Sequence, residues 1–232
     1  MEKKQYDLCL EILKRFKRAG ILDNFILIGS WCTYFYKDYF PNASYVDYAG
    51  MKTRDIDFLV DNPSKVKNKA DIPHLLEDLG FVIDLKGDQG YIQLDHPDLI
   101  LEFLVQEKGK GTDKPYSLPS LGVNATPLRF LNLLSPNTIK VKIENFYLTL
   151  PHPANFALHK LIISQRRLKG EKALKDKNTA ILILKALISK GESHIIKRVF
   201  DHLFIKKLQN KIISILEETR EEAILEALQS VK

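Results

Sequence analysis

Two aspartates one residue apart, Asp55 and Asp57, sit in the segment Asp55-Ile56-Asp57-Phe58-Leu59-Val60. In a strand, residues i and i+2 point to the same face, so the two carboxylates would stand side by side among apolar neighbours. Like charges on a half-buried surface repel, and desolvating them is costly unless a cation is present. A hard divalent metal removes both penalties, and carboxylate oxygens are the ligands Mg²⁺ selects. The competing structural reading is an edge strand carrying two solvated aspartates. A third acid weighs against it: Leu99-Ile100-Leu101-Glu102-Phe103-Leu104-Val105 sets Glu102 alone in an apolar run, where an unpaired charge is expensive. If the two strands are neighbours, Glu102 joins Asp55 and Asp57 in one acidic cluster for one or two metals. Asp95 and Asp98 are the alternative third ligands, but both fall in an apparent turn.

Ahead of the pair lies Ile28-Gly29-Ser30. A strand that ends in Gly-Ser and enters a helix offers free backbone N–H groups to an anion, and Ser30 adds a hydroxyl. Alone this is common turn chemistry. Combined with a carboxylate pair on the next strand, it is what a metal–triphosphate complex needs.

The elements that must position these groups follow from periodicity. Residues 3–19 predict an amphipathic helix with Tyr6, Cys9, Leu10, Ile12, Leu13 and Phe16 as its stripe and Gly20 as its stop. Residues 25–28 read as a short buried strand and 31–40 as an aromatic-rich helix leaving it. Residues 41–53 read as an irregular excursion. Strand 55–60 follows, then a helix at 70–79 closed by Gly80, and three short strands at 81–85, 90–94 and 99–105. Residues 106–120 read as a long loop, and 138–149 as a hairpin turning at Glu144-Asn145. Pro151-His152-Pro153 marks the strongest boundary: beyond it helical periodicity runs through 154–168, 173–189, 192–204 and 206–230, punctuated by Gly170 and Gly191. The expected layout is an α/β domain over residues 1–150 and a helical domain over 151–232.

Composition narrows the classes. Of 232 residues, 45% are hydrophobic and 28% charged, so intrinsic disorder is excluded as the main state. No apolar run approaches the roughly 20 residues that span a bilayer, which argues against a membrane partner. Met-Glu-Lys-Lys-Gln leads into a charged amphipathic stretch rather than an apolar signal core. Two cysteines, Cys9 and Cys32, make neither a disulfide framework nor a four-ligand zinc set, and a reducing cytoplasm is the expected setting. The six histidines show no metal-ligand spacing. The net charge of +6 is uneven: residues 1–150 carry 19 basic against 20 acidic side chains, and residues 151–232 carry 16 against 9. That excess is either a solvated helix face or a surface facing phosphates.

Gly29-Ser30, then Thr53-Arg54-Asp55-Ile56-Asp57-Phe58-Leu59-Val60, then Glu102 in an apolar strand, together resemble the nucleotidyltransferase superfamily of DNA polymerase β-like fold. That superfamily is marked by Gly-Gly or Gly-Ser at a strand–helix junction, an acid-x-acid pair on the following strand and a third acid on a later one. The stretch from Pro151 to Lys160, with Arg166-Arg167 and Lys172 to Asp176, further resembles a bacterial branch near the abortive-infection-type nucleotidyltransferase toxins. The resemblance covers roughly residues 25–180 and departs from the pattern in one place, a Glu for the commoner Asp as third acid.

The resemblance implies an α+β fold with a mixed sheet and flanking helices, followed by a C-terminal helical domain. It implies transfer of a nucleoside monophosphate from an NTP to a hydroxyl of RNA (a tRNA end among the candidates) or of a protein, with release of pyrophosphate. Asp55, Asp57 and Glu102 would be the catalytic, metal-binding acids for Mg²⁺ or Mn²⁺, with Glu102 also helping to deprotonate the acceptor. Gly29 and Ser30 would hold the β/γ-phosphates. On a helix, Lys160, Ser164 and Arg167 share a face opposite Phe156, Leu158, Leu161, Ile162 and Leu168, so Lys160 and Arg167 are the candidate cationic contacts to the triphosphate. The bland alternative is a helix C-terminus charged to suit its dipole. An antitoxin, or self-association through the C-terminal helices, would be the expected protein partner. The reading from another class is a non-catalytic nucleotide- or RNA-binding module of the same fold.

Overall fold

The structure is a computed structural model and describes residues 3–41, 53–111, 114–168, 170–203 and 205–229. The excursion expected at 41–53 lies almost wholly outside them. The chain divides into two compact units, one of Met1–Lys37 and Asp47–Pro151, the other of Asp38–Val46 and His152–Lys232.

The first unit is a mixed sheet backed by helices. Helix α1 (Lys3–Arg18) buries Cys9, Ile12, Leu13 and Phe16, and its last turn is basic, which suits the negative end of the helix dipole. Strands β1 (Ile26–Ile28), β2 (Asp55–Leu59), β5 (Ile100–Gln106), β4 (Tyr91–Asp95) and β3 (Val82–Lys86) lie side by side in that order. Only the β2–β5 pair on this path is parallel. Helices α2 (Trp31–Phe35) and α3 (Ile72–Leu76) occupy the connections. The far end of β5 pairs in parallel with β7 (Val123–Leu128), which carries β6 (Tyr116–Leu118) on its other side. Strands β8 (Thr138–Ile143) and β9 (Phe146–Pro151) form a separate hairpin, and β9 packs against β1.

Alternation along the central strands divides the sheet into two faces. One carries Leu27, Phe58 and Phe103. There Phe16 of α1, Phe25, Phe58 and Phe103 pack ring against ring, with adjacent centroids 5.4–5.9 Å apart. On the other face Ile26, Ile28, Leu59 and Leu104 pack with Leu131 and Leu134 in a smaller apolar cluster. The acids stand on this second face: Asp55 at the start of β2, Asp57 in its middle, and Glu102 at the third residue of β5.

The second unit holds α4 (Pro153–Ser164), α5 (Gly170–Ser189), α6 (Ser193–Asp201), α7 (Lys206–Glu218) and α8 (Glu222–Gln229). His152 caps α4, its Nδ1 accepting from the Ala154 N–H at 3.1 Å. Helix α4 is shorter than the expected 154–168 and is buried on nearly every side rather than along one stripe. Leu168, expected among its apolar set, stands fully exposed beyond its end. The single helix expected over 206–230 is broken between α7 and α8, where Arg220 takes a left-handed φ of 56° and the Glu221 N–H turns back to the Leu216 carbonyl. No described helix is long and apolar enough to cross a membrane.

Candidate active site

Parallel pairing of β2 with β5 sets Asp57 in register with Glu102 and Asp55 with Ile100. Register partners in adjacent strands share a face, so all three acids point to the same side of the sheet. Asp55 is exposed, and Asp57 and Glu102 are half-buried. The polar row continues across the next two strands. The Gln93 side-chain amide on β4 donates to Glu102, Asp84 on β3 is the register partner of Gln93, and Lys86 donates to Asp84. The Lys86 ammonium is held above its ordinary value, first by the bond to Asp84 and then by the charges of Asp84, Asp95 and Glu102. Gln93, Asp84 and Lys86 were not legible as neighbours of the acids, because the strand order that brings β4 and β3 alongside β5 is a long-range property.

On the other flank, antiparallel β1 sets Ile28 opposite Asp57, and the chain then turns at Gly29. Gly29 has φ of +73°, a left-handed conformation that costs an ordinary residue about 1–2 kcal/mol. A Cβ here would overlap the Asp57 carboxylate oxygen and stand 3.1 Å from its carbon. Glycine is therefore required twice over, for the turn and for the approach to Asp57. Ser30 follows at the N-cap of α2, and its hydroxyl makes no capping bond to the helix.

This donor set fits a hard divalent cation: the ligands are oxygen-only, and two of them stand i and i+2 on one strand face, where the absence of a side chain at Gly29 leaves room for the Asp57 carboxylate. The expected three-acid cluster is not assembled with the side chains as they stand. Among the described residues no group of three His, Cys, Asp or Glu side chains is arranged to hold a metal. The Glu102 carboxylate accepts from Gln93 on the neighbouring strand β4.

Arg54, directly before the pair, donates to the His96 carbonyl at 2.9 Å and lies 3.6 Å from Asp95. Asp98 pairs with Lys4 at 2.9 Å. The two alternative third acids are thus tied into the β4–β5 turn. Trp31 and Tyr36 are buried core residues, Tyr36 donating to the Pro151 carbonyl at 2.8 Å. Cys32 packs as expected, its buried thiol donating to the Leu27 carbonyl at 3.1 Å.

In the helical unit, Lys160 and Arg167 are brought together, though not as an open stripe. Both bind Asp176 of α5, one to each carboxylate oxygen, and Lys160 and Asp176 are buried. Arg167 lies past the last residue of α4, so the shared helical face expected for Lys160, Ser164 and Arg167 is not formed. Ser164 is buried and bonds to the Leu161 carbonyl at 2.9 Å. Next to this network, His159 is driven down to about 3, first by burial and then by the Lys160 charge, and stays neutral. Asp176 went unassigned because an aspartate in the Lys-rich stretch 172–177 reads as a solvated helix surface.

A family model described as nucleotidyltransferase matches residues 8–195. The match does not single out the abortive-infection-type branch. A solved structure of an antigenic nucleotidyltransferase-like protein from Paracoccidioides brasiliensis is 13% identical, with a TM-score of 0.52 over 96% of this chain and 92% of that one. It shares the fold. The solution structure of the antibiotic-resistance factor ANT(2'')-Ia aligns over 97% of each chain at 12% identity and a TM-score of 0.46. No curated protein sequence matches the chain.

Proposed function

Since the chain belongs to the nucleotidyltransferase family, we propose that it moves a nucleoside monophosphate from an NTP to a hydroxyl of RNA, releasing pyrophosphate. The observation that supports this reading is the register of Asp57 with Glu102, with Asp55 on the same face and Gly29 against Asp57. RNA is favoured over a protein acceptor by the basic excess of residues 151–232, 16 basic against 9 acidic side chains.

Asp55 and Asp57 would hold the divalent cation, with Glu102 as the third ligand once it leaves Gln93. A bound Mg²⁺ neutralises triphosphate charge and orients its oxygens for in-line displacement. The chain's own residues do the rest. Backbone N–H groups at Gly29-Ser30 and the Ser30 hydroxyl hold the terminal phosphates. The Glu102 carboxylate accepts the acceptor's hydroxyl proton as the new phosphodiester bond forms and the bond to pyrophosphate breaks.

The test is transfer of label from α-³²P-labelled NTPs, with Mg²⁺ or Mn²⁺, to total RNA or to a protein extract, beside Asp55→Asn/Asp57→Asn. Label in RNA with the wild type alone supports the proposal. Label in protein replaces the acceptor. NTP binding with no transfer to any polymer favours the non-catalytic module.

A further inference from the structure

Strand β3 ends the sheet, and among the described residues β4 is its only partner strand. Four of its five residues are exposed, including three large aliphatics: Val82 at 62%, Ile83 at 53% and Leu85 at 62%. An open edge of this kind is a template for another strand, and proteins usually blunt it with a bulge, a proline or a covering segment. Here there is neither bulge nor proline, β3 running one-to-one against β4 from Val82 to Lys86, and the edge is guarded only by its shortness and by the charges of Asp84 and Lys86.

We propose that this edge is a homotypic docking surface, pairing antiparallel with β3 of a second copy about a two-fold axis at Leu85. The charges select both the occupant and the register. Asp84 and Lys86 are opposite in sign, two residues apart and on one face, and within one chain they bond to each other. With the axis at Leu85, Asp84 of each copy faces Lys86 of the other, so the two intrachain pairs are exchanged for two cross-strand pairs. On the opposite face Leu85 meets its own symmetry mate, flanked on each side by Ile92, its register partner on β4. Pairing in this register spans residues 84–86 of each copy, because Gly87, with a left-handed φ of 64°, already belongs to the turn after β3. Moving the axis to Asp84 would instead set Asp84 against Asp84, an unfavourable like-charge contact. A self-complementary patch of this type is what an isologous dimer requires. The overlap is short, so the dimer dissociates on dilution.

Sedimentation velocity of the full chain over a wide concentration range tests this, with circular dichroism confirming that each variant is folded. The wild type is expected to pass from monomer to dimer as concentration rises. Asp84→Lys alone and Lys86→Asp alone each turn two attractions into two repulsions, and each is expected to weaken the dimer about tenfold or more. The double variant Asp84→Lys/Lys86→Asp restores the complementarity and is expected to return to within about threefold of wild type. A wild type that stays monomeric at the highest concentration overturns the proposal. So does a dimer that neither single reversal weakens, or one that the double variant fails to restore.

Discussion

Gly29 lies so close to Asp57 that any side chain at position 29 would occupy the space of the Asp57 carboxylate. This one approach links the turn after β1 to the acid in the middle of β2, and it makes Gly29 part of the site's construction rather than a spacer. Gly29→Ala is expected to lose about 1–2 kcal/mol of stability from the left-handed backbone alone. It is also expected to displace Asp57, and a shift on the order of 1 Å in a reacting constellation costs about 100-fold in rate. Thermal unfolding and the label-transfer rate, measured on one preparation, separate the two effects. A variant as active as wild type would show that Asp57 need not stay where it is.

Asp176 neutralises two cations, one of them buried. Removing one partner of a buried pair leaves an uncompensated charge, so Asp176→Ala is expected to lose about 3–5 kcal/mol. Replacing the pair together, as Lys160→Met/Asp176→Ala, is expected to cost much less than Lys160→Met and Asp176→Ala added. Urea denaturation of the four proteins checks this. Additive losses would mean that Lys160 and Asp176 do not interact.

His159 adds a pH dependence whose sign follows from its burial. In the folded chain it titrates at about 3, against 6.5 ordinarily, so between these values the unfolded chain binds a proton that the folded chain does not. Stability therefore falls as pH drops from 6.5 toward about 3, by at most about 1.4 kcal/mol per pH unit from this group. His159→Leu is expected to flatten the acid side of the curve of urea midpoint against pH. An unchanged slope would mean that another group carries the acid sensitivity.

Much of this site could be read before the fold was known, because its signals are local. Asp-x-Asp in an apolar run, a lone Glu in another and Gly-Ser after a strand each depend on spacing within a few residues. The β2 strand, expected over 55–60, is found at Asp55–Leu59. What could not be read depends on distant pairing. Gln93 reaches Glu102 only because β4 lies beside β5, and β6 and β7 emerge partly from a stretch that reads as loop because of its glycines and prolines. The same holds for Lys160: its helix has no polar stripe, and the Asp176 that neutralises it comes from the next helix.

The central claim is that Asp55 and Asp57 hold a divalent cation together with an NTP. Isothermal titration of Mn²⁺–NTP into the wild type and into Asp55→Asn/Asp57→Asn tests it without any acceptor. Metal-dependent binding to the wild type is expected, abolished by a metal chelator and weakened at least about tenfold in the variant, or about 1.4 kcal/mol. Equal affinity of both proteins for Mn²⁺–NTP would contradict it.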